Sequence, residues 1–256
     1  HLEEKITSQN RELKEINRKL TDVDRLKSEF LGRISHELRT PLSVIMAYTG
    51  TLIEDRGTTI DETIRGEFLQ VISDQSNKLL ALINDLLDLS KLEVSETMLD
   101  VTESSLNEMI KASLAVVRPL AVQAGVVIKI DLDESIPVMR FDPLRIRQIC
   151  VNLLSNAIKY TSSGDSICIA SRLSGTDAVV SVADRGPGID KDHLSRIFEN
   201  FTQVDGGSSR KKNGLGIGLR LVYHFVELHR GRVWVDSDNA HGAIFHFSLP
   251  VNTDWD

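Results

Sequence analysis

"FLQVISDQSNKLLALINDLLDL", residues 68–89, decides the architecture of this chain. Within it Phe68, Ile72, Gln75, Leu79, Leu82, Leu86 and Leu89 follow one another at spacings of four and three without a break, the seam of a helix that lies along another helix. Upstream, Ile34, Leu38, Ile45, Tyr48 and Leu52 carry the same rhythm until Gly57 in "EDRGTT" interrupts it. Two helices joined by so short a break form an antiparallel hairpin. Still further upstream Ile6, Leu13, Ile16, Leu20, Val23 and Phe30 keep the alternation after a gap at Gln9, which predicts a leading coiled coil.

Leu31, Leu42, Leu80 and Leu87 stand beside the seam, so one hairpin cannot cover its own apolar faces. Two hairpins paired as a four-helix bundle would, and the expectation is a homodimer. Beyond Glu93 the pattern changes. "VVIKIDL", "SICIASRL" and "AVVSVAD" read as strands, residues 142–159 as a helix, and "RVWVDS" followed by "AIFHFSLP" as a strand hairpin with Gly242 near its turn. The predicted organisation is a coiled-coil linker over 1–24, a helical hairpin over 25–95 and a two-layer α/β domain over 104–250.

With 30 basic and 37 acidic residues the net charge is -7, and no basic face interleaved with aromatics appears, so nucleic acid is not expected as a partner. Cys150 and Cys168 both sit in apolar surroundings and read as buried thiols rather than a bridge. No apolar run approaches the roughly 20 residues of a membrane span, and no signal peptide is present. The chain opens at His1 already in helical pattern, which reads as a piece of a longer protein.

Chemistry enters at "RISHELRTPL", residues 33–42. On a helix His36 lies about 200° from Ile34 and from Leu38, away from the seam. Glu37 beside it can orient the ring and accept the Nδ1 proton, leaving Nε2 as a nucleophile. Pro41 removes a backbone hydrogen bond one turn further on and bends the helix, and Arg39 and Thr40 can hold an anion or a water.

In "NLLSNAIKY" Asn152, Asn156 and Lys159 recur along one helical stripe. Amide carbonyls suit a hard cation such as Mg²⁺, and a lysine suits a phosphate. In "DRGPGI" Asp184 ends a strand where it can accept from an exocyclic amine, and Gly186 and Gly188 let the backbone pass close to a ligand. "NGLGIGLRLVYHFVELH" places glycines at alternate positions before a helix, a backbone suited to phosphates, yet it matches neither G-x-G-x-x-G nor the P-loop. Between these lies "FENFTQVDGGSSRKKNG", whose residues 203–213 read as a mobile lid.

Taken in order, these segments resemble the sensor histidine kinases of bacterial two-component systems. "SHELRTPL" is similar to their phosphoacceptor H box, "NLLSNAIKY" to the N box, "DRGPGI" to the G1 box, "IFENF" to the F box, "GLGIGL" to the G2 box and "LINDLLDLSKLE" to the X region. The resemblance runs from about Asp24 to Pro250. It implies a dimeric helical bundle joined to the Bergerat-type ATP-binding sandwich shared with gyrase, Hsp90 and MutL.

It also implies roles. His36 would be phosphorylated with Glu37 as base, and Thr40 would orient water for dephosphorylating the partner. Asn156 would ligate Mg²⁺ with Asn152 in support, Lys159 would approach the phosphates and Tyr160 the adenine. Asp184 would bind the adenine amine, Gly186 and Gly188 would shape its pocket, and Gly214, Gly216 and Gly218 would flank the triphosphate. ATP and Mg²⁺ are the implied cofactors. The implied partners are a second copy of the chain, a response-regulator receiver domain and an upstream sensor domain, in the cytoplasmic portion of a protein either anchored to a membrane or soluble.

Many relatives place an arginine after the F box where this chain has Gln203; Arg210, Lys211 or Lys212 would substitute. Two other classes compete: a scaffold that binds ATP and a regulator without transfer, and a gyrase- or Hsp90-like ATPase. The latter carries a glutamate as base where this chain has Asn152.

Overall fold

The computed structural model describes residues 2–55, 60–93, 98–194, 197–198, 218–237, 242–253 and 255. The chain forms two compact units, one helical and one α/β. In the helical unit α1 spans Leu2–Glu54 with Pro41 inside it, and α2 spans Glu62–Glu93. The seam residues are half-buried as their spacing requires: Ile34, Leu38, Ile45, Tyr48 and Leu52 on α1, and Phe68, Ile72, Gln75, Leu79, Leu82 and Leu86 on α2. The side chains of Ile6, Ile16, Leu20, Val23, Phe30 and Leu89 lie outside the described residues, as does Gly57.

Chain reversal is fixed by Asp55. Its Oδ1 accepts the Ile60 N–H at 2.9 Å and its Oδ2 accepts from Arg65 Nη2 at 2.7 Å. Asp61 Oδ1 accepts the Ile64 N–H and opens α2, and the rings of Tyr48 and Phe68 meet edge to face at 4.8 Å. The residues beside the seam stay uncovered within one chain: Leu31, Leu42, Leu80 and Leu87 are exposed, joined by Met46, Ile53 and Leu69.

The α/β unit runs β1 (Thr102–Ser104), α3 (Leu106–Ala124), β2 (Val127–Leu132), β3 (Met139–Phe141), α4 (Pro143–Tyr160), β4 (Ser166–Ser174), β5 (Asp177–Ala183), α5 (Lys191–Leu194), α6 (Gly218–Leu228), β6 (Arg232–Ser237) and β7 (Ala243–Pro250). Five strands form one sheet in the order β2-β4-β5-β7-β6, with β2 parallel to β4 and the other pairs antiparallel. A separate two-stranded ribbon pairs β1 with β3. Along residues 166–171 of β4 and the whole of β5 burial alternates, so Ile167, Ile169, Ala178, Val180 and Val182 face one side. Against that side pack Ile110, Leu114 and Val117 of α3, Ile149, Leu153 and Leu154 of α4, and Leu221, Val222 and Phe225 of α6, all buried. Helices on one side of a sheet make the two-layer sandwich.

Some sequence readings shift. The helix expected over 142–159 begins one residue later, because Asp142 is its N-cap and Pro143 takes the first helical position. The strand hairpin is present as β6 and β7, yet β7 also pairs with β5 and so is interior. Helix α3 and the β1–β3 ribbon were not part of the sequence reading. Cys150 is fully buried, which pushes its thiol up to about 12. Cys168 is only half-buried, since its place in the alternation turns it to the uncovered side of the sheet. Among the described residues no helix is long and apolar enough to cross a membrane.

Candidate functional site

His36 is exposed on α1 and Glu37 half-buried, while Ile34 and Leu38 stay in the seam, so the imidazole points outward as its helical angle dictates. No hydrogen bond or ion pair joins Glu37 to His36 among the described residues; successive helical side chains diverge by about 100°. The Thr40 hydroxyl donates to the His36 carbonyl at 3.1 Å. That bond secures the helix just where buried Pro41 has no N–H to give the Glu37 carbonyl.

In the α/β unit the ends of three elements converge. Asp184 follows β5, 9% exposed, and its backbone N–H donates to the Ala243 carbonyl at 2.9 Å. Its Oδ1 accepts two backbone N–H groups, Gly186 at 2.8 Å and Ala243 at 3.1 Å. Oδ2 has no partner among the described residues. Burial pushes this carboxyl above its ordinary range, and the two N–H donors oppose the shift.

The surrounding backbone comes close enough to exclude side chains. A Cβ on Gly186 would stand 3.0 Å from the Tyr160 carbonyl and 3.2 Å from Tyr160 Cβ, which joins the G1 turn to the end of α4. A Cβ on Gly242, whose φ is 92°, would stand 2.2 Å from the Asp184 carbonyl oxygen. Gly188 also has positive φ, 76°. Sequence reasoning placed Gly242 only near a turn, and it missed Thr161 and Ser237. The Arg185 N–H donates to Thr161 Oγ1 at 3.3 Å; Ser237 Oγ accepts the Ile189 N–H and donates to the Gly242 carbonyl, each at 2.8 Å. Glycine before a final strand was the available signal for Gly242; the two hydroxyls had none.

On α4, Asn152 and Asn156 are half-buried, Lys159 and Tyr160 exposed, and the Lys159 ammonium lies 5.2 Å from the Tyr160 ring centroid. Gly218 opens α6 against Asn152: a Cβ there would be 3.5 Å from the amide carbon. Among the described residues Asn152 Nδ2 is buried without a hydrogen-bond partner, a donor suited to an acceptor. Gly214 and Gly216 lie outside the described residues, as do Gln203, Arg210, Lys211 and Lys212.

These residues fit an adenine nucleotide. A carboxylate with one oxygen fixed by the backbone and one left over suits an exocyclic amine, Tyr160 and Gly186 form the adjoining wall, and the orphaned Asn152 donor suits phosphate oxygen. For a Mg²⁺ ion the Asn156 carbonyl is the fitting oxygen ligand.

Two family descriptions match. Residues 26–95 match the His Kinase A (phospho-acceptor) domain, and residues 141–253 match the histidine kinase-, DNA gyrase B-, and HSP90-like ATPase. Over 98% of its length the chain is 34% identical to the circadian input-output histidine kinase CikA of Synechococcus elongatus and 35% identical to hybrid signal transduction histidine kinase D of Dictyostelium discoideum. It spans only 34% and 16% of the lengths of those two relatives. Among solved structures, full-length ShkA in complex with AMPPNP aligns over 88% of this chain and 46% of its own, at 30% identity and a TM-score of 0.65. Histidine kinase ThkA in complex with response regulator protein TrrA aligns over 88% and 61%, at 26% identity and a TM-score of 0.57.

Proposed function

This chain belongs to the histidine kinases, as the catalytic core made of a phospho-acceptor domain and an ATPase-like domain, and from that premise we propose that it phosphorylates His36 from ATP and passes the phosphoryl group to an aspartate of a response regulator. The observation that carries the reading is Asp184, with Oδ1 held by Gly186 and Ala243 and Oδ2 left for the adenine amine.

Each residue then has a task. Tyr160 packs on the adenine; Lys159 faces the phosphates; Asn156 supplies the carbonyl ligand for Mg²⁺ and Asn152 supports it. Gly214, Gly216 and Gly218 bring backbone close to the triphosphate. Bound Mg²⁺ supplies neutralisation of the phosphate charge. His36 Nε2 attacks the terminal phosphorus, so an N–P bond forms as the P–O bond to ADP breaks. Glu37 accepts the Nδ1 proton once the ring turns to it. Positioning and charge neutralisation do most of the work, since the reaction asks little else of the protein.

The phosphohistidine is an intermediate whose group moves to the receiver aspartate. Thr40, freed from the His36 carbonyl by a rotation about χ1, orients water for the reverse task of dephosphorylating the regulator. The uncovered apolar residues of α1 and α2 support a homodimer, and the long N-terminal part of α1 supports an upstream sensor as the source of the signal. In the full-length protein this is the cytoplasmic portion.

Incubation with γ-labelled ATP and Mg²⁺ tests the reading. Wild type should take up acid-labile, alkali-stable label, and His36→Ala and Asn156→Ala should take up none. Label that survives in His36→Ala would overturn the assignment, and ATP binding with no label in wild type would leave a scaffold.

A further inference from the structure

Strand β2 ends the five-stranded sheet, so one of its edges has no neighbouring strand. Its pairing with β4 is parallel, and in a parallel pair a residue turns its N–H and its C=O toward the same side. The Val127 N–H donates to the Asp165 carbonyl at 3.0 Å and the Asp133 N–H to the Ser171 carbonyl at 3.2 Å, which fixes the alternation. Val127, Lys129 and Asp131 face β4, whereas Ile128, Ile130 and Leu132 turn their backbone groups outward. Among the described residues nothing meets those outward groups. The strand contains no proline and no bulge breaks its register with β4, so two usual guards of an open edge are missing.

Ile130 is 49% exposed, and with Ile128 it lines a groove against Leu114, Arg118 and Val122 of α3, the last 76% exposed. On the opposite face of the strand stand Lys129 and Asp131, both exposed. Asp131 Oδ2 is paired with Arg172 Nη2, and Arg172 Nη1 donates to the Asp131 carbonyl at 2.9 Å. Asp131 Oδ1 has no partner among the described residues.

We infer that the open edge of β2 is an interaction surface for a second copy of this chain, whose own β2 adds antiparallel across a two-fold axis at Ile130. The strand is self-complementary about that point. Ile130 meets Ile130 and Ile128 meets Leu132, so each outward N–H finds a carbonyl. Between them Lys129 stands opposite Asp131 of the second copy, on both sides of the axis, where facing residues approach most closely. Sliding one copy by two residues, the smallest slip that keeps the outward groups matched, sets Lys129 against Lys129 or Asp131 against Asp131. Charge therefore selects both the partner and the register. The edge belongs to the α/β unit, so it is a surface separate from the exposed leucines of the hairpin, and it makes no use of the nucleotide residues.

So short a contact belongs to the weak class of interfaces, with an expected Kd of about 100 µM. Hydrogen exchange resolved to single amides tests it in the unaltered full chain. The N–H groups of Ile128, Ile130 and Leu132 should exchange about threefold more slowly at about 300 µM chain than at about 3 µM. Those of Val127, Lys129 and Asp131, already bonded to β4, should be protected equally at both.

Cross-linking tests the register. In a Cys168→Ser background, where the remaining Cys150 is buried, Ile130→Cys sets two thiols across the axis with Cα atoms about 5.5 Å apart, within reach of a disulfide. Under copper–phenanthroline it should link copies at least about fivefold faster than Val127→Cys, which is exposed but far from its own counterpart. Adding Lys129→Asp to Ile130→Cys should slow linking about fivefold, and adding Asp131→Lys as well should restore it to within about twofold.

Exchange at Ile128, Ile130 and Leu132 that ignores concentration overturns the inference. Equal linking at Val127→Cys and Ile130→Cys also overturns it, since that marks random collision. A doubly reversed chain that links no faster than the Lys129→Asp chain removes the charge pairing and the register with it.

Discussion

At His229 both ring nitrogens are committed. The side chain is buried; Nδ1 lies 2.6 Å from the Phe225 carbonyl, and Nε2 accepts the Asp142 N–H. Because Nε2 must accept, the proton sits on Nδ1, and a second proton would have to enter against a backbone donor. Burial lowers the pKa, with the Phe225 carbonyl and the Asp142 carboxylate opposing. The sign follows: the unfolded imidazole protonates first, near 6.5, so the stability from a neutral His229 is complete above that pH and is lost as pH falls through the lower folded value. His224 and His246 shift the same way, each mainly through burial. Urea midpoints should therefore drop between pH 7.5 and pH 5.5, and His229→Gln should drop by less. An equal drop in the variant would assign the effect to the other two. What sequence could give at this scale was the kind of residue: Asp184 was readable as a strand-ending carboxylate beside glycines. That Ala243, 59 residues later, would occupy one of its oxygens was not, because only the sheet register brings the two together.

Between elements, the tip of the helical hairpin depends on one acid. Asp55, with its side chain 2% exposed, holds Ile60 N–H and the Arg65 guanidinium, and Arg65 itself is 28% exposed. Asp55→Ala leaves a backbone N–H and a half-buried cation without that acceptor, which should cost about 2 kcal/mol. Thermal melting should report the loss, and ADP affinity should not change, since Asn152, Asn156, Tyr160 and Asp184 lie in the other unit. A melt identical to wild type would mean that solvent replaces Asp55. Helices α1 and α2 were legible because a seam repeated over many turns outweighs any single residue. Helix α3 went unread: its buried set Leu106, Ile110, Leu114, Val117 and Ala121 is shorter and shares the helix with Val116, Leu120 and Val122, which are exposed. Apolar residues all round blur the periodicity. The β1–β3 ribbon, three residues a side, is too short for any alternation to register.

For the molecule as a whole, the apolar residues left uncovered on the hairpin point to pairing. Met46 at 66%, Ile53 at 73%, Leu69 at 54% and Leu80 at 57% exposure form more apolar surface than an isolated helix pair leaves in water without reason. Sedimentation should find a particle of twice the 28.5 kDa chain mass. Met46→Lys combined with Leu80→Asp should give single chains that still bind ADP; a wild-type monomer at micromolar concentration would remove the four-helix bundle from the account. Overall class was legible because runs of strands follow the long helices, whereas strand order was not, being set by which apolar faces meet.

That order puts the last strand of the chain, β7, between β5 and β6. Phe245, Phe247 and Leu249, three of the core's apolar side chains, thus arrive from the ribosome after every other part of the sheet. Until they emerge, β5 keeps an open edge and the apolar faces of α4 and α6 lack part of their cover. The sheet of the α/β unit can therefore close only once β7 has been made, whatever its earlier strands have already paired.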